Sequence, residues 1–326
     1  MNLARVFSTA LLIIGLTQVA PFVADESPEC GDQLMAASLS GLDATGCDLH
    51  DAVVVLDDGR ELPVPEPGEG ISSWALTEDG MPEADDVSLY RDEAGNLALA
   101  VEDVFSGDPD AIEDLQSELA EEIIVGGSAP TTSKCSTSAP YNWSGHWWRL
   151  SAHEYRYSYN SAGAPSGASA RITAAANAVA NGTSGSCGNR NSALTIVREG
   201  TTTVYAGINA AGSRTGRSFV SEVSFGPIDG SYLAWACTYW ALGGELVEAD
   251  IKFDNSSRSW NTNASSCSSG YDLQGVATHE FGHAVGLGHV ADLTSGQVMV
   301  KSTGTCNVGQ RHLGRGDQRG LIAVYG

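Results

Sequence analysis

The chain has few basic residues: 17 Lys and Arg stand against 40 Asp and Glu over 326 residues, giving a net charge of −23. The shortage is concentrated in residues 25–130, which hold 28 acidic and 2 basic side chains, whereas residues 131–326 are close to neutral. No basic patch is left to neutralise phosphates, so nucleic acid is excluded as a partner. Acidity confined to one segment also differs from the uniformly acidic surface of a halophilic protein.

Long apolar runs are absent after the first 24 residues, so no later segment predicts a membrane span. Residues 1–24 have a positive start at Arg5 and a mostly apolar stretch over 6–20, which is typical of a secretory signal peptide. A membrane anchor is the alternative interpretation of this stretch. We expect a secreted, extracellular protein without a stable membrane anchor.

None of the seven cysteines stands in C-x-x-C spacing, which disfavours a cysteine-bound zinc site. In a secreted chain the cysteines predict disulfide bonds instead. Cys267 and Cys306 flank a histidine-rich motif and are therefore the favoured pair. The full set is one guess among many pairings: Cys267–Cys306, Cys187–Cys237 and Cys30–Cys47, with Cys135 left over.

The histidine-rich motif runs from His279 to His289 and reads H-E-x-x-H-x-x-G-x-x-H. His279 and His283 are four residues apart, which places both imidazoles on one face of a helix. The apolar positions predict that helix over residues 272–286, and Gly286 suits its end because glycine tolerates a left-handed turn. After the turn, His289 can approach a shared metal from a third direction.

The motif predicts a catalytic zinc site. Three neutral imidazoles leave one position of a tetrahedral zinc open, as in catalytic sites. Glu280 is not an expected ligand but can reach a water in that position as general base. Two alternatives remain: a buried histidine cluster without metal, and a bound but catalytically silent zinc.

With His289 in third place, the motif resembles the metzincin metallopeptidases, and Met299 matches their methionine turn. Residues 233–237, 249–254 and 313–326 are similar to two strands and the closing helix of the matrixin group. The chain looks most like bacterial secreted matrixin-like peptidases, although Trp235 stands where animal matrixins carry a histidine for a second zinc. The resemblance implies an α+β fold with a mixed twisted sheet, a zinc helix, a methionine turn and a C-terminal helix.

The resemblance also implies protein or peptide substrates. Leu233 and Ala234 would lie on an edge strand whose backbone pairs with an extended peptide. Asp250 and Asp254 offer carboxylate oxygens to a calcium ion. The alternative for these two residues is that they are surface acids at a strand end.

Residues 25–130 are predicted to be a small, folded, acidic prosegment ahead of a catalytic domain at 131–326. Residues 87–90 and 97–101 predict a β-hairpin, residues 110–124 have helical spacing, and residues 126–133 read as a linker suited to cleavage. The functional interpretation is a segment that covers the cleft and inhibits the enzyme until it is cut. The alternative is an acidic domain with a separate role.

These patterns together predict a secreted zinc-dependent endopeptidase made as a zymogen, with His279, His283 and His289 on the zinc and Glu280 as general base. The competing hypothesis is a non-catalytic, zinc-containing peptide-binding protein. The intact Glu280 favours the enzyme.

Overall fold

The structure is a computed structural model that describes residues 31–119, 134–149, 152–291 and 295–326. The expected signal at 1–24, the linker at 126–133 and Cys30 lie outside the described residues. The described part contains four α-helices: α1 (Pro109–Leu119), α2 (Ala168–Ala180), α3 (Leu273–Ala284) and α4 (Arg315–Tyr325). None of these helices is both long and apolar enough to cross a bilayer.

Seventeen strands, many of them short, make up the β-structure of the described residues. In chain order they are β1 (Gln33–Met35), β2 (Val53–Val55), β3 (Glu61–Pro63), β4 (Glu69–Glu78), β5 (Val87–Arg91), β6 (Leu97–Val101), β7 (Val104–Gly107), β8 (Asn142–Trp143), β9 (Glu154–Tyr159), β10 (Thr195–Thr201), β11 (Glu222–Gly226), β12 (Tyr232–Ala241), β13 (Glu245–Asp254), β14 (Trp260–Asn261), β15 (Tyr271–Asp272), β16 (Leu287–Gly288) and β17 (Ser302–Thr303). Helices and strands are mixed along the chain, so the expected α+β class is confirmed.

One ten-stranded sheet organises the molecule. Its order is β10-β9-β11-β13-β12-β4-β5-β6-β7, and β17 pairs with β4 off this path. The first four strands run parallel to one another, β12 is antiparallel to β13, and β4 to β7 continue as an antiparallel meander. Strands from the acidic segment and from the C-terminal half therefore share one sheet.

The expectation that Leu233 and Ala234 lie on an edge strand is wrong for this structure. β12 is an inner strand, because β13 pairs along one side and β4 along the other. Ala234 faces Phe253 on β13 and Leu76 on β4. Both neighbours are antiparallel, so the backbone of β12 is paired on both edges.

Within the acidic segment, the sequence patterns predicted a hairpin and a helix, and the structure contains both. The predicted hairpin is confirmed as β5 and β6, which pair antiparallel from Val87–Val101 to Arg91–Leu97. The predicted helix is present as α1, and the end of its expected range lies outside the described residues. Ala111 and Leu115 are its buried positions, and they join the main core.

The main hydrophobic core lies under the ten-stranded sheet and belongs to both halves of the chain. Trp74, Tyr90 and Leu115 from the acidic segment share it with Phe281 of α3 and Leu321 of α4. A buried side chain of this size contributes about 1.5–3 kcal/mol by leaving water. The acidic segment is thus attached through a common interior as well as through the chain.

Helix α3 is built as the motif predicts. Asp272 caps its start by accepting a hydrogen bond from the Gly275 N–H at 2.9 Å, and all twelve helical residues are buried. The helix ends before Gly286, which has φ +92° and therefore occupies the left-handed region. The turn at Gly286 sends the chain back toward His289.

A Gly286→Ala substitution should destabilise the protein by at least about 1–3 kcal/mol, measured by urea unfolding. A Cβ at this position would lie 2.0 Å from the backbone carbonyl oxygen of His146, in addition to the strain of positive φ. Gly188→Ala is the matched control, because Gly188 has φ +74° but no atom near its Cβ position. Equal losses in the two variants would contradict a close approach at Gly286.

Two disulfides join described cysteines. The favoured Cys267–Cys306 bridge is confirmed. The expected Cys187–Cys237 bridge is wrong, since Cys187 pairs with Cys135 and Cys237 is a buried free thiol. Cys237 lies inside the sheet on β12, where its Sγ contacts the hydroxyl of Ser73 on β4 at 3.4 Å. The expected Cys30–Cys47 bridge involves a residue outside the described ranges.

Candidate metal centre

His279, His283 and His289 come together at one point. Their Nε2 atoms are 3.0 Å (His279–His283), 3.2 Å (His279–His289) and 3.1 Å (His283–His289) apart. Zn–N bonds of about 2.0–2.1 Å at tetrahedral angles require separations of about 3.3 Å, close to those observed. Among the described residues, this is the one cluster of His, Cys, Asp or Glu side chains arranged to hold a metal ion.

The other nitrogen of each ring is held by an acceptor. His279 Nδ1 donates to the carbonyl of Val298 at 2.8 Å, and His283 Nδ1 donates to that of Leu287 at 2.8 Å. His289 Nδ1 contacts Asp86 Oδ1 at 2.7 Å. These acceptors fix the proton on Nδ1 and leave each Nε2 lone pair free for a metal. The donor set therefore fits zinc.

Burial favours the neutral form of the His279 and His283 rings. It lowers the pKa of His279 to about 3, assisted by the nearby His289, and lowers that of His283 well below its ordinary value. Neutral imidazole is the form that ligates a metal. Without a cation, the three Nε2 lone pairs would point at one another with nothing to bind.

Glu280 lies beside the triad on α3 and is fully buried. Neither carboxylate oxygen has a hydrogen-bond partner among the described residues. Burial raises the pKa of this carboxyl well above its ordinary value. A buried carboxyl group without a partner is costly and is typical of a functional group.

Met299, the residue predicted for the methionine turn, packs against α3. It is buried, and a Cβ at Gly282 would lie 2.3 Å from its Sδ. The absence of a side chain at Gly282 thus lets Met299 lie directly against the helix, one residue before His283. The preceding residue, Val298, supplies the carbonyl that holds His279.

Asp317 supports this turn, and nothing in the motif pointed to it. Its Oδ2 accepts hydrogen bonds from the Val298 N–H at 2.8 Å and the Gly314 N–H at 2.7 Å. Burial raises its pKa to about 6, while the two amide donors oppose that shift. Asp317 therefore links the start of α4 to the backbone that orients His279.

Replacing Asp317 with Ala should lower the free energy of unfolding by about 2–4 kcal/mol, because two buried amides lose a charged acceptor. Thermal and urea unfolding would measure the loss. Asp317→Asn keeps one acceptor oxygen and should cost clearly less. An unchanged stability in the alanine variant would show that the turn does not depend on this carboxylate.

The acidic segment contributes two side chains to the metal centre, and neither was predicted. Trp74 of β4 stacks on His283, with ring centroids 5.1 Å apart and ring planes 3° from parallel. Asp86, just before β5, holds His289 and also lies 3.6 Å from the ammonium of Lys301. The nearest local signal was the general acidity of the segment, which does not single out one aspartate.

Exchange of Asp86 for Ala should weaken zinc binding by about 10–100-fold, since carboxylates behind a ligating histidine set its orientation and basicity. Competition with a chromophoric chelator would measure the change in the intact chain. Asp85→Ala is the matched control, because it removes the same charge from an exposed neighbour. Equal affinities for the two variants would remove Asp86 from the metal centre.

The two acids proposed for calcium are engaged with protein groups. Asp250 pairs with the buried guanidinium of Arg214 and accepts the N–H of Gly207 and Glu222. Burial opposes ionisation of Asp254, but Ser256 and several backbone amides lower its pKa to about 2. Through these hydrogen bonds both carboxylates hold loops against the sheet. Because their oxygens already bind protein groups, the arrangement does not favour the calcium prediction.

Comparison with known proteins covers the site itself. Residues 219–326 match the family model described as Matrixin. Matrix metalloproteinase-20 of Homo sapiens is 36% identical over 83 residues, which is 26% of this chain and 16% of the relative. Metalloendoproteinase 1 of Glycine max is 33% identical over 70 residues, 22% of this chain and 18% of the relative. The matches thus span only a small part of each relative.

The matched region contains the three histidines, Glu280 and Met299. The expected resemblance to matrixin-like metzincins is confirmed there. A mixed sheet, the histidine helix and the closing helix are compatible with that family's catalytic domain.

Proposed function

We propose that this chain is a secreted zinc endopeptidase made as a zymogen. The observation that carries the proposal is the convergence of three Nε2 atoms beside a buried, unpartnered glutamate. His279, His283 and His289 would hold the zinc. When bound, zinc would polarise the scissile carbonyl and acidify a water.

Glu280 would act as the general base. Its carboxylate would take a proton from the attacking water and pass it to the leaving amine. The hydrophobic surroundings of α3 suit this role, because burial raises the pKa of Glu280 and so helps it to hold the proton between the two steps. A second acid is then not required.

Substrate would bind as an extended strand along β12, at Leu233 and Ala234. This edge is taken by β4 in the intact chain. The three histidines are also inaccessible to a substrate in the intact chain: His279 and His283 are fully buried and His289 is 5% exposed. These facts support the acidic segment as an inhibitor and residues 131–326 as the catalytic domain.

Secretion is supported by the two disulfides, which persist outside the cytoplasm. The non-catalytic peptide-binding alternative explains neither the unpartnered Glu280 nor its place beside the ligands.

The test is digestion of an unstructured protein such as casein by the purified secreted chain, with and without a zinc chelator. The size of the chain itself is followed in parallel. We expect chelator-sensitive cleavage that begins as the chain loses its acidic segment and that returns when zinc is added back. Tightly bound zinc without cleavage, after the segment is gone, would favour the peptide-binding alternative.

A further inference from the structure

Strand β4 lies between two elements that border the metal centre. On one side it pairs antiparallel with β12, from Glu69–Ala241 to Thr77–Tyr232. On the other side its end pairs parallel with β17, where the Thr77 N–H donates to the Lys301 carbonyl at 3.0 Å. β17 follows the methionine turn by only a few residues. Strand β4 therefore runs across the metal centre between β12 and β17.

The middle of β4 faces the histidines. Its first half pairs with β5 as far as Ser73, and its contact with β17 begins at Thr77. Between them, in the described part of the chain, Trp74, Ala75 and Leu76 pair with β12 alone. The Trp74 ring stacks on His283 at this gap. An extended peptide bound for cleavage would have to use the same edge of β12 and the same opening.

Contacts away from the linker hold the segment in place. Glu69 pairs with Arg217 at 2.5 Å, and Glu78 pairs with Arg258 at 2.6 Å. Trp74 and Leu76 of β4, with Ala111 and Leu115 of α1, belong to the core that α3 and α4 share. The linker between residues 119 and 134 is thus one connection among many, and cutting it removes none of these contacts.

We propose that the acidic segment is a strand-addition inhibitor whose β4 occupies the substrate position on β12, and that it stays bound after the linker is cut. Activation then needs a second cut that releases β4. The loop at residues 79–83 is the place for that cut, since it is exposed and, together with the linker cut, divides the segment into two shorter pieces that are each held by fewer contacts. Inhibition by the segment rests on the proposed peptidase function, whereas retention of the segment after the linker cut does not.

Cys237 provides a readout that is independent of activity. It is 1% exposed, and its thiol lies against Ser73 of β4. It is the one free thiol among the described cysteines. Departure of β4 should uncover it, so the rate at which a thiol reagent labels Cys237, located by peptide mapping, reports the presence of β4.

The experiment uses the full chain with a specific protease site in the linker, in the loop at 79–83, or in both. A site in the exposed turn at 57–59, combined with the linker site, is the matched control, because it cuts the segment away from the metal centre. Each nicked protein is run on a sizing column, labelled at Cys237, and assayed with a peptide substrate and zinc.

After the linker cut alone, we expect the fragments to co-elute, Cys237 to stay protected and the peptide to stay intact. After the linker and 79–83 cuts, labelling should rise by at least about tenfold and hydrolysis should begin, while the 57–59 control stays latent. Separation of the fragments after the linker cut alone would overturn the proposal, as would hydrolysis while β4 still protects Cys237. Labelling that stays slow after both cuts would overturn the assignment of residues 79–83 as the release point.

The failures of the two proposals are distinguishable. If Cys237 becomes reactive only after the second cut but no peptide is hydrolysed, the strand-addition geometry stands and the peptidase function fails.

Discussion

A Glu280→Gln variant, freed of its acidic segment, should lose peptide hydrolysis by at least about 10²–10⁴-fold while it keeps its zinc. The amide has the size of the carboxyl group but cannot take a proton from water. The three ligands and their acceptors are untouched, so metal affinity should change little. Steady-state kinetics and metal analysis of the same sample measure both results.

Folding is not expected to suffer in this variant, because Glu280 makes no hydrogen bond to a described residue. Glu199→Gln is the matched control, since it makes the same exchange on an exposed strand residue paired with Arg156. Hydrolysis that survives in Glu280→Gln would remove Glu280 from the mechanism. Loss of zinc from it would instead assign Glu280 a role in holding the metal.

A His283→Ala variant should bind zinc weakly and show no hydrolysis. Two imidazoles remain, and the ring that Trp74 stacks on is gone. A ligand present at 100 times its Kd stabilises the folded state by about 2.7 kcal/mol. Zinc should therefore raise the Tm of the native protein clearly and leave that of the variant almost unchanged.

The control for this variant is His50→Ala, which removes an exposed histidine outside the cluster. Its zinc-dependent rise in Tm should equal that of the native chain. An equal rise in His283→Ala would show that zinc binds elsewhere and would contradict the metal centre described above.

The sequence was most informative where the signal is local. The spacing of His279 and His283, the stop at Gly286 and the hairpin of β5 and β6 each depend on residues close together in the chain, and the structure has all three. Met299 was singled out through the family resemblance, and it packs on α3.

The pairing of β4 with β12 could not be predicted. Strand pairing depends on which edges meet in space, and the alternation of residues along β4 does not name its neighbour. The same holds for Trp74 and Asp86, which reach the metal centre only because β4 and β5 enter the sheet there. Cys237 was paired wrongly for a related reason: it lies inside the sheet, where no other cysteine approaches it among the described residues.

The ten-stranded sheet pairs strands that lie far apart in the sequence. Ser73 and Cys237, which touch across β4 and β12, are 164 residues apart in sequence, and β17 is later still. Contacts between distant residues slow folding, because a long loop must close before they form. Until β12 and β17 have paired with it, β4 has an unpaired edge that can associate with other chains. Refolding of the full chain should therefore be slow, and its yield should fall as the protein concentration rises.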